Sequence, residues 1–130
     1  MAEDPSPDDR RGAPRVLIVE DDFMVALDIE EAVNRAGCDA IGPARRCSEA
    51  LELAEGADLV MMDLQLAGQR DGIEAAIEIE RRFGIRSLFL SANCDAATMR
   101  RGEPAHPIGW LGKPFEPSQL ATIIAAILRP

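Results

Sequence analysis

VMMDLQLAGQRDG, residues 60–72, runs apolar, sets down one carboxylate at Asp63 and then breaks into a glycine-bearing loop. Leu59, Val60, Met61 and Met62 do not alternate with polar residues, which is the pattern of a strand covered on both faces, as in a parallel sheet wrapped by helices. An ionised carboxylate taken out of water costs several kcal/mol. Asp63 therefore either meets water at the rim of the sheet or is paired with a cation.

Outward from this stretch, short β-like runs alternate with helical patterns. Val16-Leu17-Ile18-Val19 precedes a helix over Phe23 to Ala36, with apolar residues at 25, 29, 32, 33 and 36 and Gly37 as its stop. A weak strand over residues 38–43 is followed by a short helix with Ser48 as N-cap and Glu49 to Ala54 behind it. After Met62, a helix with Ile73, Ala76, Ile77 and Phe83 inward leads to strands at 87–90 and 108–111. Leu120, Ile123, Ile124, Ile127 and Leu128 form the apolar stripe of a last helix entered through Pro117. Between Asp95 and Ile108, Gly102, Pro104 and Pro107 leave room for only a short fourth helix. Five β-α units of this kind specify a doubly wound α/β domain with a five-stranded parallel sheet. Residues 1–14, with three prolines and little apolar surface, read as a disordered tail, and 15–130 as the single folded domain.

The bulk properties narrow the function. Fourteen Lys and Arg against 23 Asp and Glu give a net charge of -9, which repels phosphate backbones and anionic lipid, so neither a nucleic-acid nor a membrane partner is expected. Cys38, Cys47 and Cys94 are odd in number and lack metal spacing, as expected of reduced thiols. No apolar run is long enough to cross a bilayer and the N-terminus lacks a signal-peptide pattern, so a cytoplasmic protein is expected.

In an open α/β sheet, ligands bind beyond the carboxyl ends of the strands. There the first strand ends in Glu20-Asp21-Asp22, the third in Asp63, the fourth in Ser91 and the fifth in Lys113-Pro114. Any one of these is an ordinary polar residue where a strand meets water. Their convergence on one rim is not explained that way. Crowded carboxylates call for a hard cation such as Mg²⁺. A cation, an ammonium and a hydroxyl around an aspartate are the parts that stabilise a phosphoryl group in transfer, with the carboxylate as nucleophile.

With VLIVEDD at 16–22, VMMD at 60–63, DG at 71–72, Ser91-Ala92 and LGKPF at 111–115, residues 15–129 resemble the receiver domain of two-component response regulators. The resemblance implies a flavodoxin-like strand order 2-1-3-4-5. It also implies a phosphoryl group accepted on Asp63 from a histidine kinase or histidine phosphotransfer protein, and a relay to a downstream protein. Asp21, Asp63 and the backbone carbonyl of Gln65 would ligate Mg²⁺, with Glu20 acting through a bound water and Asp22 a second-choice ligand. Ser91 and Lys113 would contact the phosphoryl group, Ala92 would leave it access, and Trp110 would take the place of the switch aromatic beside Ser91. The Lys113-Pro114 bond would be cis, and the face of the fourth helix, fifth strand and fifth helix would carry the signal. The chain departs from the family at Ala67, where many receivers have proline, and in a loop one residue longer before Gly72. That loop, Gln65 and the poor fourth helix are similar to receivers of PhyR-type general-stress-response regulators. Gln65 and Asn93 occupy positions that tune phosphate lifetime in the family.

Two other functions compete. An aspartate-nucleophile phosphatase of the haloacid dehalogenase type needs an acid two residues after its nucleophile, where this chain has Gln65. A phosphate-independent adaptor on the same fold would have no need of Asp21, Asp63 and Lys113 together. GKP at 112–114 lacks the Ser/Thr of a phosphate-binding loop. His106, between Ala105 and Pro107, reads as an exposed loop residue.

Overall fold

The structure is a computed structural model that describes residues 12–65, 71–92 and 94–128. β3 (Leu59–Asp63) lies at the centre of a five-stranded parallel sheet, between β1 (Arg15–Val19) and β4 (Ser87–Ser91), with β2 (Asp39–Ala44) and β5 (Gly109–Gly112) at the edges. The order is 2-1-3-4-5, as expected. β2 is the irregular strand: its register against β1 slips between Leu17 and Val19, and it contains a cis Gly42–Pro43 bond.

The unbroken apolar runs have a direct cause. Leu17, Val19, Val60, Met62 and Phe89 point to one face, into a core closed by α2 (Cys47–Leu53) and α3 (Gly72–Phe83). Val16, Ile18, Leu59, Met61, Leu88 and Leu90 point to the other, under α1 (Phe23–Arg35) and α5 (Pro117–Leu128). Both sets are buried, so neither parity of position needs a polar residue. Each large side chain among them contributes about 2 kcal/mol by leaving water.

One expectation about the helices is corrected. α2 begins at Cys47, not after Ser48: Arg46 is its N-cap and gives no side-chain cap bond, while Ser48 is exposed within the first turn. Burial of Cys47 in the core starts the helix there, and the Glu49 carboxylate accepts the Arg45 amide at 3.1 Å. On α3 the expected inner residues Ile73, Ala76, Ile77 and Phe83 all pack on the core, the last two partly exposed, and Gly72, Ala75 and Ile79 are buried beside them. α1 ends as expected, with Gly37 at φ 81° just beyond the cap residue Ala36.

α4 (Ala96–Gly102) is short, and one 3-10 turn, Glu103–Ala105, connects it towards β5. Gly102 has an ordinary helical φ of -82°, so it is not there for conformational freedom. A Cβ at this position would lie 2.8 Å from Cζ2 of Trp110 and 3.1 Å from Phe89: α4 rests on the indole at a residue that has no side chain. His106 is exposed, as expected, with Nδ1 3.3 Å from Glu80, while its carbonyl accepts from the Arg86 guanidinium at 2.6 Å. Of the expected tail, residues 1–11 lie outside the described residues, as do Ala67 and the rest of the 66–70 loop, Asn93, and residues 129–130.

Candidate functional site

The rim is built by strand ends. The Glu20 amide donates to the Ala44 carbonyl at 2.9 Å, which carries the β1–β2 alignment one residue past Val19, while the pairing of Val19 with Met62 sets the next residues, Glu20 and Asp63, side by side. Asp22 turns away to cap α1, its carboxylate accepting from the amides of Met24 at 2.9 Å and Val25 at 3.2 Å. That capping gives Asp22 a structural task at the start of α1. Asp63 ends β3, 4% exposed, with one carboxylate oxygen 3.3 Å from the Gln65 amide.

Glu20, Asp21 and Asp63 each offer a carboxylate oxygen, all within 4.8 Å of one another. Lys113 reaches into this group. Its Nζ donates to Oε1 of Glu20 at 3.1 Å and to Oδ1 of Asp63 at 3.0 Å. The backbone holds it there: the Lys113 amide donates to the Ser91 carbonyl at 2.9 Å, and the bond to Pro114 is cis, as expected. Ser91 ends β4, buried, paired in register with Gly112.

One ammonium cannot neutralise three carboxylates, and Glu20 carries the consequence. Burial, with the Asp63 charge and hydrogen bond adding to it, pushes its pKa from 4.5 up to about 7 against the opposing pull of Lys113. Burial pulls the Lys113 pKa down, but its hydrogen bonds and charge contacts with Asp63 and Glu20 outweigh that and raise it. The surplus of hard oxygen donors around a single ammonium suits a small divalent cation.

Two cavities lie beside this cluster. One, of about 300 Å³, is lined by Val25, Asp28, Ala92, Lys113, Pro114 and Phe115. The other, of about 230 Å³, lies between Leu64, Gln65, Ser91 and the pair Asp71 and Arg101. Trp110 is half-buried, its ring 4.6 Å from that of Phe89 and tilted by 40°.

The structure thus brings Glu20, Asp21, Asp63 and Lys113 into one cluster, places Ser91 and Ala92 beside Lys113, and sets Trp110 under α4 rather than in the cluster. Sequence reasoning missed three features. Asp71 and Glu74 form a capping box at the start of α3, legible in the D-x-x-E spacing. Arg101 reaches back to Asp71 across thirty residues, with no local signal. Phe23, Met24 and Leu27 are exposed apolar residues at the start of α1, visible as the side chains that fall off its inner stripe.

A family model for the response regulator receiver domain matches residues 16–125. The chain is 30% identical over 119 residues to the phyllosphere-induced regulator PhyR of Methylorubrum extorquens, covering 89% of this chain and 44% of PhyR. It is 37% identical over 112 residues to the transcriptional regulatory protein PdtaR of Mycobacterium tuberculosis, covering 85% of this chain and 54% of PdtaR. The chain therefore spans about half the length of these curated relatives. A two-component response regulator of the LuxR family from an Aurantimonas species has the same fold, with TM-score 0.79 and 29% identity over 89% of this chain and 85% of that one. The expected likeness to PhyR-type receivers is met by the first of these relatives.

Proposed function

Because the chain belongs to the response regulator receiver domains, we propose that it is a phosphoacceptor that relays a signal through protein contacts. The observation that carries this reading is Lys113 held between Glu20 and Asp63 beside a third carboxylate. A carboxylate oxygen of Asp63 attacks the phosphorus of a phosphohistidine on a histidine kinase or phosphotransfer protein. The P–N bond breaks, the acyl phosphate forms, and the imidazole leaves with its electron pair and takes up a proton. Lys113 and the Ser91 hydroxyl then contact the transferred oxygens, while Ala92, exposed beside Lys113, leaves the approach open. Asp21, Asp63 and the Gln65 carbonyl, with Glu20 through a water, would hold Mg²⁺, which would supply positive charge to the phosphoryl group.

The only chemistry required is the protein's own phosphotransfer and dephosphorylation. The donor docks at the start of α1, where Phe23, Met24 and Leu27 are exposed and follow Asp21 and Asp22 in the chain. The downstream protein reads the face of α4, β5 and α5. The exchange is read as a cytoplasmic one; among the described residues no helix is long and apolar enough to cross a membrane.

Incubation with acetyl phosphate and Mg²⁺ tests the reading by intact mass. One phosphate adduct is expected, lost in Asp63→Asn and in EDTA. An adduct that persists in Asp63→Asn refutes the assignment of the acceptor. No adduct on the wild type favours the phosphate-independent adaptor.

A further inference from the structure

α4 is tied to the acceptor side of the molecule through one ion pair. The Arg101 guanidinium meets the Asp71 carboxylate at 2.5 Å across the cavity that Gln65, Ser91 and Thr98 share. Asp71 is the N-cap of α3, its other oxygen accepting the Glu74 amide at 3.0 Å, and the next residue, Gly72, packs against Asp63. Arg101 is in turn followed by Gly102, the residue by which α4 sits on Trp110. The pair therefore joins the first turn of α3, directly behind the phosphoacceptor, to the point where α4 rests on the indole. Burial raises the Asp71 pKa, but the Glu74 amide and the Arg101 guanidinium outweigh it and hold the carboxyl below its usual value, so the pair is ionised at neutral pH.

We propose that Arg101 is a positioning residue: through Asp71 it latches α4 onto Trp110 in the unphosphorylated protein and sets the affinity of Asp63 for its phosphoryl group. This rests on the phosphoacceptor reading. When Ser91 is drawn to a phosphoryl group on Asp63, the Trp110 ring gains room to turn, Gly102 loses its floor and α4 shifts. In this reading the shift carries Arg101 off Asp71, so the contact opposes it. A ligand that binds only the shifted state has its apparent affinity reduced by the fraction in which α4 is already free.

Beryllofluoride with Mg²⁺ is the probe, its dissociation constant measured by calorimetry. Arg101→Gln is expected to tighten binding by about two- to fivefold, the range open to a half-exposed ion pair. Asp71→Asn keeps an oxygen to cap α3 and loses only the charge, so it is expected to tighten binding equally, and the double variant no further. Arg101→Lys is expected to fall between wild type and Arg101→Gln. A merely structural pair would lower the thermal midpoint and leave the dissociation constant alone, which overturns the proposal. Weaker binding in Arg101→Gln also overturns it, because the guanidinium would then be serving the phosphoryl group itself. So do additive effects of the two substitutions. Hydrogen exchange at the amides of residues 98–102 without beryllofluoride reads the latch independently: faster exchange in Arg101→Gln is expected, and unchanged exchange overturns the latch. If wild type and Asp63→Asn both fail to bind beryllofluoride, the acceptor assignment falls, while exchange still decides whether the pair holds α4.

Discussion

Gly72 lies directly against Asp63: a Cβ on Gly72 would be 2.0 Å from the Asp63 carbonyl oxygen and 3.0 Å from Cα of Leu64. Here the Gly72 amide donates to the Leu64 carbonyl at 3.0 Å, folding the chain back on the end of β3. Main-chain atoms on both sides leave no flexible side chain to yield. Gly72→Ala is expected to destabilise by about 2 kcal/mol or more in urea unfolding. The surviving folded fraction should take up beryllofluoride more weakly, since the shift falls on the acceptor's own backbone. Wild-type stability in this variant would show that the approach is looser than the structure has it.

Glu20 gives the metal-free protein an unusual pH dependence. A carboxyl whose pKa rises from 4.5 to about 7 on folding adds stability that is full below 4.5 and is lost as pH rises through 7. Lys113, with its pKa raised above 10.5, contributes constantly across that window. Asp71, with its pKa lowered below 3.8, loses its contribution only under acid. In EDTA the thermal midpoint should therefore fall by roughly 5 °C between pH 5 and pH 8. Glu20→Gln should flatten the profile, and Mg²⁺ should restore the midpoint at pH 8, where Glu20 is ionised. A wild-type midpoint in EDTA that does not fall between pH 5 and pH 8 would count against this account of Glu20.

Lys113→Met removes the ammonium from two buried carboxylates. In the metal-free protein this should cost about 2 kcal/mol at pH 8 and less at pH 6, where a proton on Glu20 relieves the repulsion. Mg²⁺ should bind more tightly, because it no longer competes with the lysine, while the acetyl phosphate adduct drops by about tenfold or more. Titration of Trp110 emission or calorimetry separates the two effects. Weaker Mg²⁺ binding in this variant would contradict the competition.

Trp110 is the one tryptophan in a chain without tyrosine, so its emission is read without background. Beryllofluoride with Mg²⁺ should shift it in the wild type and not in Asp63→Asn or Ser91→Ala. Gly102→Ala should shift it with no ligand added, since the new methyl meets the indole edge. Trp110→Phe in that background should recover stability, the smaller ring clearing the methyl. A Trp110 fixed in its niche would give constant emission while calorimetry still shows binding.

The parts of this fold that could be read from the sequence are those whose cause is local in the chain. β3 shows as an apolar run because both its faces are covered, and Asp63 stands out because a strand so buried ends in a charge. Glu20, Asp21, Ser91 and Lys113 are legible for the same reason: parallel strands deliver all their carboxyl ends to one rim. The start of α2 was not, because packing of Cys47 overrides the capping preference of Ser48. The inner face of α3 was legible in Ile73, Ala76, Ile77 and Phe83, but not its widening to Ala75 and Ile79, which comes from packing against both α2 and the turn after α4. Gly102 looked like a weak helix former, whereas its role lies in the indole beneath it. The Arg101–Asp71 contact depends on how α3 and α4 are brought together, which no spacing in the chain encodes.

Lys113 is the single lysine of the 130-residue chain; the other 13 of its 14 Lys and Arg are arginines. A compact ammonium on a flexible stem can turn between Glu20 on one strand and Asp63 on another, where a planar fork would commit to one. The practical result is chemical addressability. Reductive methylation with isotopic formaldehyde marks one side chain and the amino terminus, so a two-line spectrum watches the amine that touches Asp63 while leaving its charge in place.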